Sequence, residues 1–141
     1  MSSEIIDIAD AIVAELNDHS FSVSFVSTRE YAPEFELKEL AELKVTVVPR
    51  GLERNIAGRG SRQNDYQVDI AIQKRVANND DCDNLMGLVQ EIVEYLDDKT
   101  LSDYPTARWF KTNNDPIFAP DHIQDKRCFT SILTLAYRVL T

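Results

Sequence analysis

Between Ser3 and Asn17 the apolar side chains Ile5, Ile8, Ala9, Ile12, Val13 and Leu16 recur every three or four residues, with Glu4, Asp7, Asp10 and Glu15 mostly opposite. That period predicts an amphipathic helix. Ser2 or Ser3 is placed to cap it, and Glu4 and Asp7 suit the positive end of its dipole. From Phe21 the period changes to two: Phe-Ser-Val-Ser-Phe-Val-Ser-Thr alternates apolar and small polar side chains, as a strand with one buried face does. Phe21, Val23 and Phe25 should point inward. Tyr31-Ala-Pro33 ends regular pairing, and Phe35 to Leu40 reads as a connector or short edge strand.

Leu43 to Val48 predicts a second strand, stopped by Pro49, which cannot donate to a central ladder. Tyr66, Val68, Ile70 and Ile72 alternate with Gln67, Asp69, Ala71 and Gln73 in a third strand, Tyr66 to Lys74. Between these two lies the Gly- and Arg-rich stretch from Pro49 to Asn64, which reads as a long flexible loop of the kind that is usually functional or disordered. Asn78 to Asp83 can cap a second helix with an apolar stripe of Leu85, Leu88, Val89, Ile92, Val93 and Leu96. Within it, Gly87 either weakens the helix by roughly 1 kcal/mol or allows close packing. Ala107 to Thr112 reads as extended, and Asn113-Asn-Asp-Pro116 and Pro120-Asp-His122 as turns. The last segment, Cys128 to Leu140, is a long strand with Phe129, Leu133, Leu135, Tyr137 and Val139 in phase; Ser131 interrupts that phase and allows a bulge or another register.

Two helices are too few to cover both faces of a parallel sheet. The expected fold is therefore α+β: one mainly antiparallel sheet with both helices on one face and a long Arg/Gly-rich loop between central strands. At 141 residues, 43% of them hydrophobic, the chain has material for one core, so a single domain spanning residues 1–141 is expected, with a flexible loop at about 49–64. No apolar run approaches a membrane span, and Met1-Ser-Ser-Glu4 lacks the basic region of a secretory signal. Cys82 and Cys128 lie far apart with no CxxC spacing, which predicts reduced, partly buried thiols in place of a disulfide framework or zinc site.

The search for chemistry narrows the function. Counting from Gly51, a phosphate loop needs Gly where Ile56 stands, and a dinucleotide loop from Gly58 and Gly60 needs Gly where Gln63 stands. Asn79-Asp-Asp-Cys-Asp83 lacks the alternating acceptors and sixth-position Gly of a calcium loop; helix capping explains these acids more economically. His19 and His122 both sit in turns, outside any recognisable nucleophile context. No enzyme, cofactor or metal site is expected.

The net charge of −9 disfavours a nucleic-acid coat or an anionic-membrane binder. It is unevenly spread, however. From Arg50 to Arg62 four arginines, Arg50, Arg54, Arg59 and Arg62, face the single acid Glu53, a balance of +3. From Asp80 to Asp103 eight acids face Lys99 alone, a balance of −7. One reading is a solvated loop and a solvated helix face. The other is a basic arm on an acidic body, able to touch phosphate or to dock on a neighbouring copy, a contact that a closed ring would repeat.

The N-terminal amphipathic helix, the strand Lys-Val-Thr-Val-Val-Pro-Arg leading into an Arg/Gly stretch, the strand Asp-Tyr-Gln-Val-Asp-Ile-Ala-Ile and the final Phe-Thr-Ser-Ile-Leu-Thr-Leu-Ala-Tyr-Arg-Val strand together resemble the small neck and tail-completion proteins of tailed bacteriophages, the tail terminators most closely. The resemblance spans about Ile5 to Leu140 and lies in element order and strand texture, without a diagnostic motif. It implies a subunit of a homo-oligomeric, hexameric ring that caps the tail tube, meets a neck or head-closure protein and lets genomic DNA pass, located in the virion and in the host cytoplasm during assembly. A head-tail connector or head-closure protein shares these traits. A non-viral small-molecule-binding α+β domain also fits the element order. Arg50, Arg54, Arg59 and Arg62 are assigned, from charge and length of the stretch, to a subunit interface or lumen.

Overall fold

The computed structural model describes residues 3–32 and 39–141. Along the chain run helix α1 (Glu4–Asp18), strand β1 (Ser27–Arg29), a 3-10 turn (Glu39–Ala41), strands β2 (Lys44–Gly58) and β3 (Ser61–Arg75), helix α2 (Asn79–Leu96), strand β4 (Arg108–Asn113), helix α3 (Pro120–Lys126) and strand β5 (Cys128–Leu140). The five strands form one sheet in the order β1-β2-β3-β5-β4. Only β1 runs parallel to its neighbour; every other pairing is antiparallel. The fold is α+β with a mainly antiparallel sheet, as the sequence pattern predicts, and the described residues form three helices where that pattern predicts two.

Alternation sorts the strand residues onto two faces. Val45, Val47, Val68, Ile70, Leu133 and Tyr137 share one face and form the main core with Ile8, Ile12 and Leu16 of α1 and Leu88, Ile92 and Leu96 of α2. Ala71, Val48 and Ala136 are buried outside this cluster, on the opposite face, and the 3-10 turn packs against β3 with Leu40 buried, also outside it. β3 and β5 pair without a break from Gln63↔Leu140 to Arg75↔Cys128. Ser131 therefore causes neither a bulge nor another register: it stays in phase opposite Ile72, and its hydroxyl donates to the Ile117 carbonyl at 2.5 Å.

Several expectations need correction. The strand expected from Phe21 shrinks to Ser27–Arg29, because Phe21 and the turn before it dock on α2. His19 stacks on Tyr95 at 4.0 Å, Phe21 meets Tyr95 edge-on at 5.5 Å, and the Ser22 amide donates to Glu91. Phe21, Val23 and Phe25 nevertheless pack against the core. Of the segment Phe35 to Leu40, residues 35–38 lie outside the described residues, and the remainder enters the 3-10 turn. The turn expected at Pro120 opens α3, with the proline in the first turn, where its missing N–H costs nothing.

Capping also differs between the helices. Ser3 occupies the N-cap position of α1 without a side-chain bond. α2 has a reciprocal cap: Asn78 accepts from the Asp81 amide at 2.9 Å, and Asp81 accepts from the Ala77 amide at 2.8 Å. Gly87 is exposed and a Cβ there would meet open space, so close packing does not account for it. Gly87→Ala should stabilise the fold by about 0.5–1 kcal/mol through helix propensity. Urea unfolding would read this as a higher midpoint at unchanged slope.

Candidate functional site: a basic hairpin arm

The stretch from Pro49 to Asn64 is not a flexible loop. β2 runs on to Gly58, turns through Arg59 and Gly60, and returns as β3 from Ser61, so almost the whole stretch is a paired hairpin. Gly60 has φ of 76°, the left-handed conformation that a tight turn demands and glycine supplies. The strand passes through Pro49 where its outer neighbour, β1, has ended opposite Val47, and among the described residues no ladder on that edge beyond this point requires the missing N–H. Arg50 is the extra residue of an irregularity between Pro49 and Gly51.

Register then separates the four arginines. Leu52, Arg54 and Ile56 stand opposite Tyr66, Asn64 and Arg62 and so lie on the face that carries the helices farther down the sheet. Arg59 occupies the turn. The Arg50 guanidinium lies on the opposite face, 3.3 Å from both oxygens of Asp69 and 3.3 Å from Thr134 Oγ1. Thr134 in turn donates to Asp69 at 2.7 Å. The fold thus keeps Arg54, Arg59 and Arg62 together on the arm and diverts Arg50 into a cross-strand network.

The helix layer stops at the base of the arm. Glu4, in the first turn of α1, accepts from the Tyr66 hydroxyl at 2.6 Å and from the Tyr104 hydroxyl. Burial and the Glu4 charge push the Tyr104 hydroxyl up to about 12 and move Tyr66 in the same direction. Asn64 and Val139, the next pair on this face, are also buried, but the β2 half of the arm is bare: Leu52 is 54% exposed and Ile56 76%. Among the described residues no strand pairs with the outer edge of β2 beyond Val47.

A groove of about 530 Å³ lies on the sheet face opposite α1 and α2, beside α3, lined by Arg50, Asp69, Lys111, His122, Thr130 and Thr134 among others. His122 Nδ1 sits 2.8 Å from Thr130 Oγ1, and the buried Cys128 thiol is 3.8 Å from the same oxygen. Both cysteines are free thiols, and burial, with Asp81 and Asp83 adding, pushes the Cys82 thiol up. The described residues contain no cluster of three or more His, Cys, Asp or Glu side chains able to hold a metal ion.

Sequence reasoning missed one polar site. Glu15 does not face solvent; it is buried in the α1 stripe and ties three segments together. The Ser102 amide donates to it at 2.8 Å and the Tyr95 hydroxyl at 3.2 Å, while Lys99 lies at 3.8 Å. Burial opposes its ionisation, but the Ser102 and Tyr95 bonds and the Lys99 charge outweigh burial and hold the carboxyl below its ordinary range. A lowered folded-state pKa contributes stability that is present above the unfolded value, near 4.3, and is lost as pH falls through the folded value. Glu15→Gln is therefore expected to cost on the order of 2 kcal/mol at pH 7. Its deficit relative to the unsubstituted chain should shrink below about pH 4, as denaturant midpoints measured across pH would show.

Compared with known proteins, the chain matches no family model and no curated sequence.

Proposed function

We propose that this chain is a structural assembly protein of a tailed bacteriophage, a tail terminator whose copies form a ring that caps the tail tube and joins it to the neck. One observation carries the reading: a paired hairpin whose β2 strand is exposed from Leu52 to Gly58 and has no partner strand on its outer edge among the described residues extends from a packed α+β body with Leu52 and Ile56 in water. A monomer gains little from such an arm, and a subunit completes it in assembly. The element order behind the resemblance to tail-completion proteins supports the same role. Hexameric closure, contact with tail-tube and neck proteins, passage of DNA and a place in the virion belong to this proposal. A head-tail connector or head-closure protein is the nearest alternative.

Negative-stain imaging of the purified chain, alone and mixed with tail-tube protein, tests it. Rings, or a monomer that becomes ring-shaped at tube ends, are expected; a monomer indifferent to tube protein would sink it. The polar groove beside Arg50 and Lys111 favours a second reading, a small-molecule-binding domain. That reading requires a thermal shift with a polar metabolite.

A further inference from the structure

We infer that the arm docks on the outer face of α2 of a second copy of this chain. The inference rests on the proposed self-assembly and specifies which two surfaces meet. Arg54, Arg59 and Arg62 form no ion pair among the described residues, although Arg50, Arg29, Lys99 and Arg138 all do. Three unneutralised cations therefore share the arm with exposed Leu52 and Ile56.

The complementary surface lies on the same chain, along α2. Asp80, Asp83, Gly87, Gln90, Glu94 and Asp97 are all exposed and follow one another at three- and four-residue intervals, which places them in one stripe along α2. The four acids of the stripe form no ion pair among the described residues, and the stripe contains no basic side chain. At 1.5 Å per residue it runs about 25 Å, and β2 from Gly51 to Gly58, at 3.4 Å per residue, runs about 24 Å. Acids stand at both ends of the stripe, while its middle, Gly87 and Gln90, is uncharged. Open space over Gly87 gives Leu52 or Ile56 room to lie against the helix between flanking ion pairs.

The geometry also suits the layering of the fold. On the helix-side face the cover reaches Tyr66, Asn64 and Val139 but leaves Leu52 and Ile56 of β2 exposed, so α2 of a neighbour would extend the helix layer over the outer half of the arm. Arm and stripe are different surfaces, which makes the joint heterologous: each copy gives one arm and receives another, and the chain of contacts closes into a ring if the rotation permits. An arm of this size supplies only part of the roughly 800 Å² per partner found in standard interfaces, so each joint is weak alone and sensitive to salt.

Sedimentation velocity on three proteins tests the joint. These are the unsubstituted chain, an arm variant (Arg54→Glu, Arg59→Glu, Arg62→Glu) and a stripe variant (Asp83→Arg, Glu94→Arg, Asp97→Arg), each checked for native circular dichroism. The unsubstituted chain should associate at low salt and at least tenfold more weakly in about 0.5 M salt, where screening reaches within a few ångströms. Each variant alone should remain monomeric. Their mixture should assemble again, because reversed arms meet reversed stripes and native arms meet native stripes. An unsubstituted chain that never associates, a variant that assembles normally by itself, or a mixture that stays monomeric would each overturn the inference. Tube capping that survives arm reversal would overturn the joint and spare the terminator role. Charge-dependent rings that ignore tail tube would do the reverse.

Discussion

Phe129→Ala is expected to lower stability by about 3–5 kcal/mol, the usual loss when a fully buried aromatic side chain is truncated. Phe129 has no exposed surface and stands on the helix-side face where β5 begins, opposite Lys74. Its ring lies 6.1 Å from that of Phe118, nearly parallel, and together with Met86 and Ile123 it borders the junction of α2 and α3. The backbone of this corner is pinned by the Ala119 amide on the Thr130 carbonyl and the Val76 amide on the Arg127 carbonyl, so it cannot easily collapse into the space vacated. A cavity should remain, and the melting temperature should fall by roughly 10–15 °C for a domain of this size. Calorimetry showing a fall of less than about 2 °C would mean that Phe129 does not hold this corner together.

The second large effect should appear in assembly and leave the fold alone. Leu52→Asp combined with Ile56→Asp places two carboxylates on an arm that contributes almost nothing to the core, so melting temperature should stay within about 2 °C of the unsubstituted chain. Association should weaken at least tenfold, because the apolar side chains would no longer be buried on contact and two added negative charges would offset the cations Arg54, Arg59 and Arg62 of the arm. Sedimentation would read the loss of association and calorimetry the unchanged fold. Normal association by this doubly substituted chain would remove the arm from any account of assembly. The comparison also separates two roles for exposed leucine and isoleucine: scattered surface apolar residues are common and silent, whereas paired ones on an uncovered strand are not.

The sequence reveals most where one side of an element is buried and the other wet. The stripes of α1 and α2 and the alternation of β3 and β5 record that asymmetry directly, and the fold class follows from them. The arm reads as a loop because that asymmetry vanishes in its β2 half: Leu52 to Gly58 are exposed throughout, and what makes them a strand is the ladder between Gly51–Gly58 and Ser61–Gln67, which leaves no trace in side-chain polarity. Gly51, Gly58, Gly60 and Pro49 then mimic loop composition. The charge of the four arginines is visible, but their division is not, since the extra residue at Arg50 puts Arg50 and Arg54, four positions apart, on opposite sides of the sheet. Glu15 escaped for the opposite reason. An acid in phase with Ile8 and Ile12 looks like the rim of the stripe until Ser102, far along the chain, arrives to satisfy it.

The unbroken pairing of β3 with β5 gives the sheet a mechanical character. Its irregularities occur in β2, between Pro49 and Gly51 and between Ile56 and Gly58, and in β4, between Trp109 and Lys111. The central pair is therefore the most regular part of the sheet, packed against α1 and α2 at one end and continued at the other by the bonds of the Arg62 amide and carbonyl to Thr141. The root of the arm is thus joined to the core by one uninterrupted ladder of backbone hydrogen bonds, whereas the path through β2 is twice broken in register.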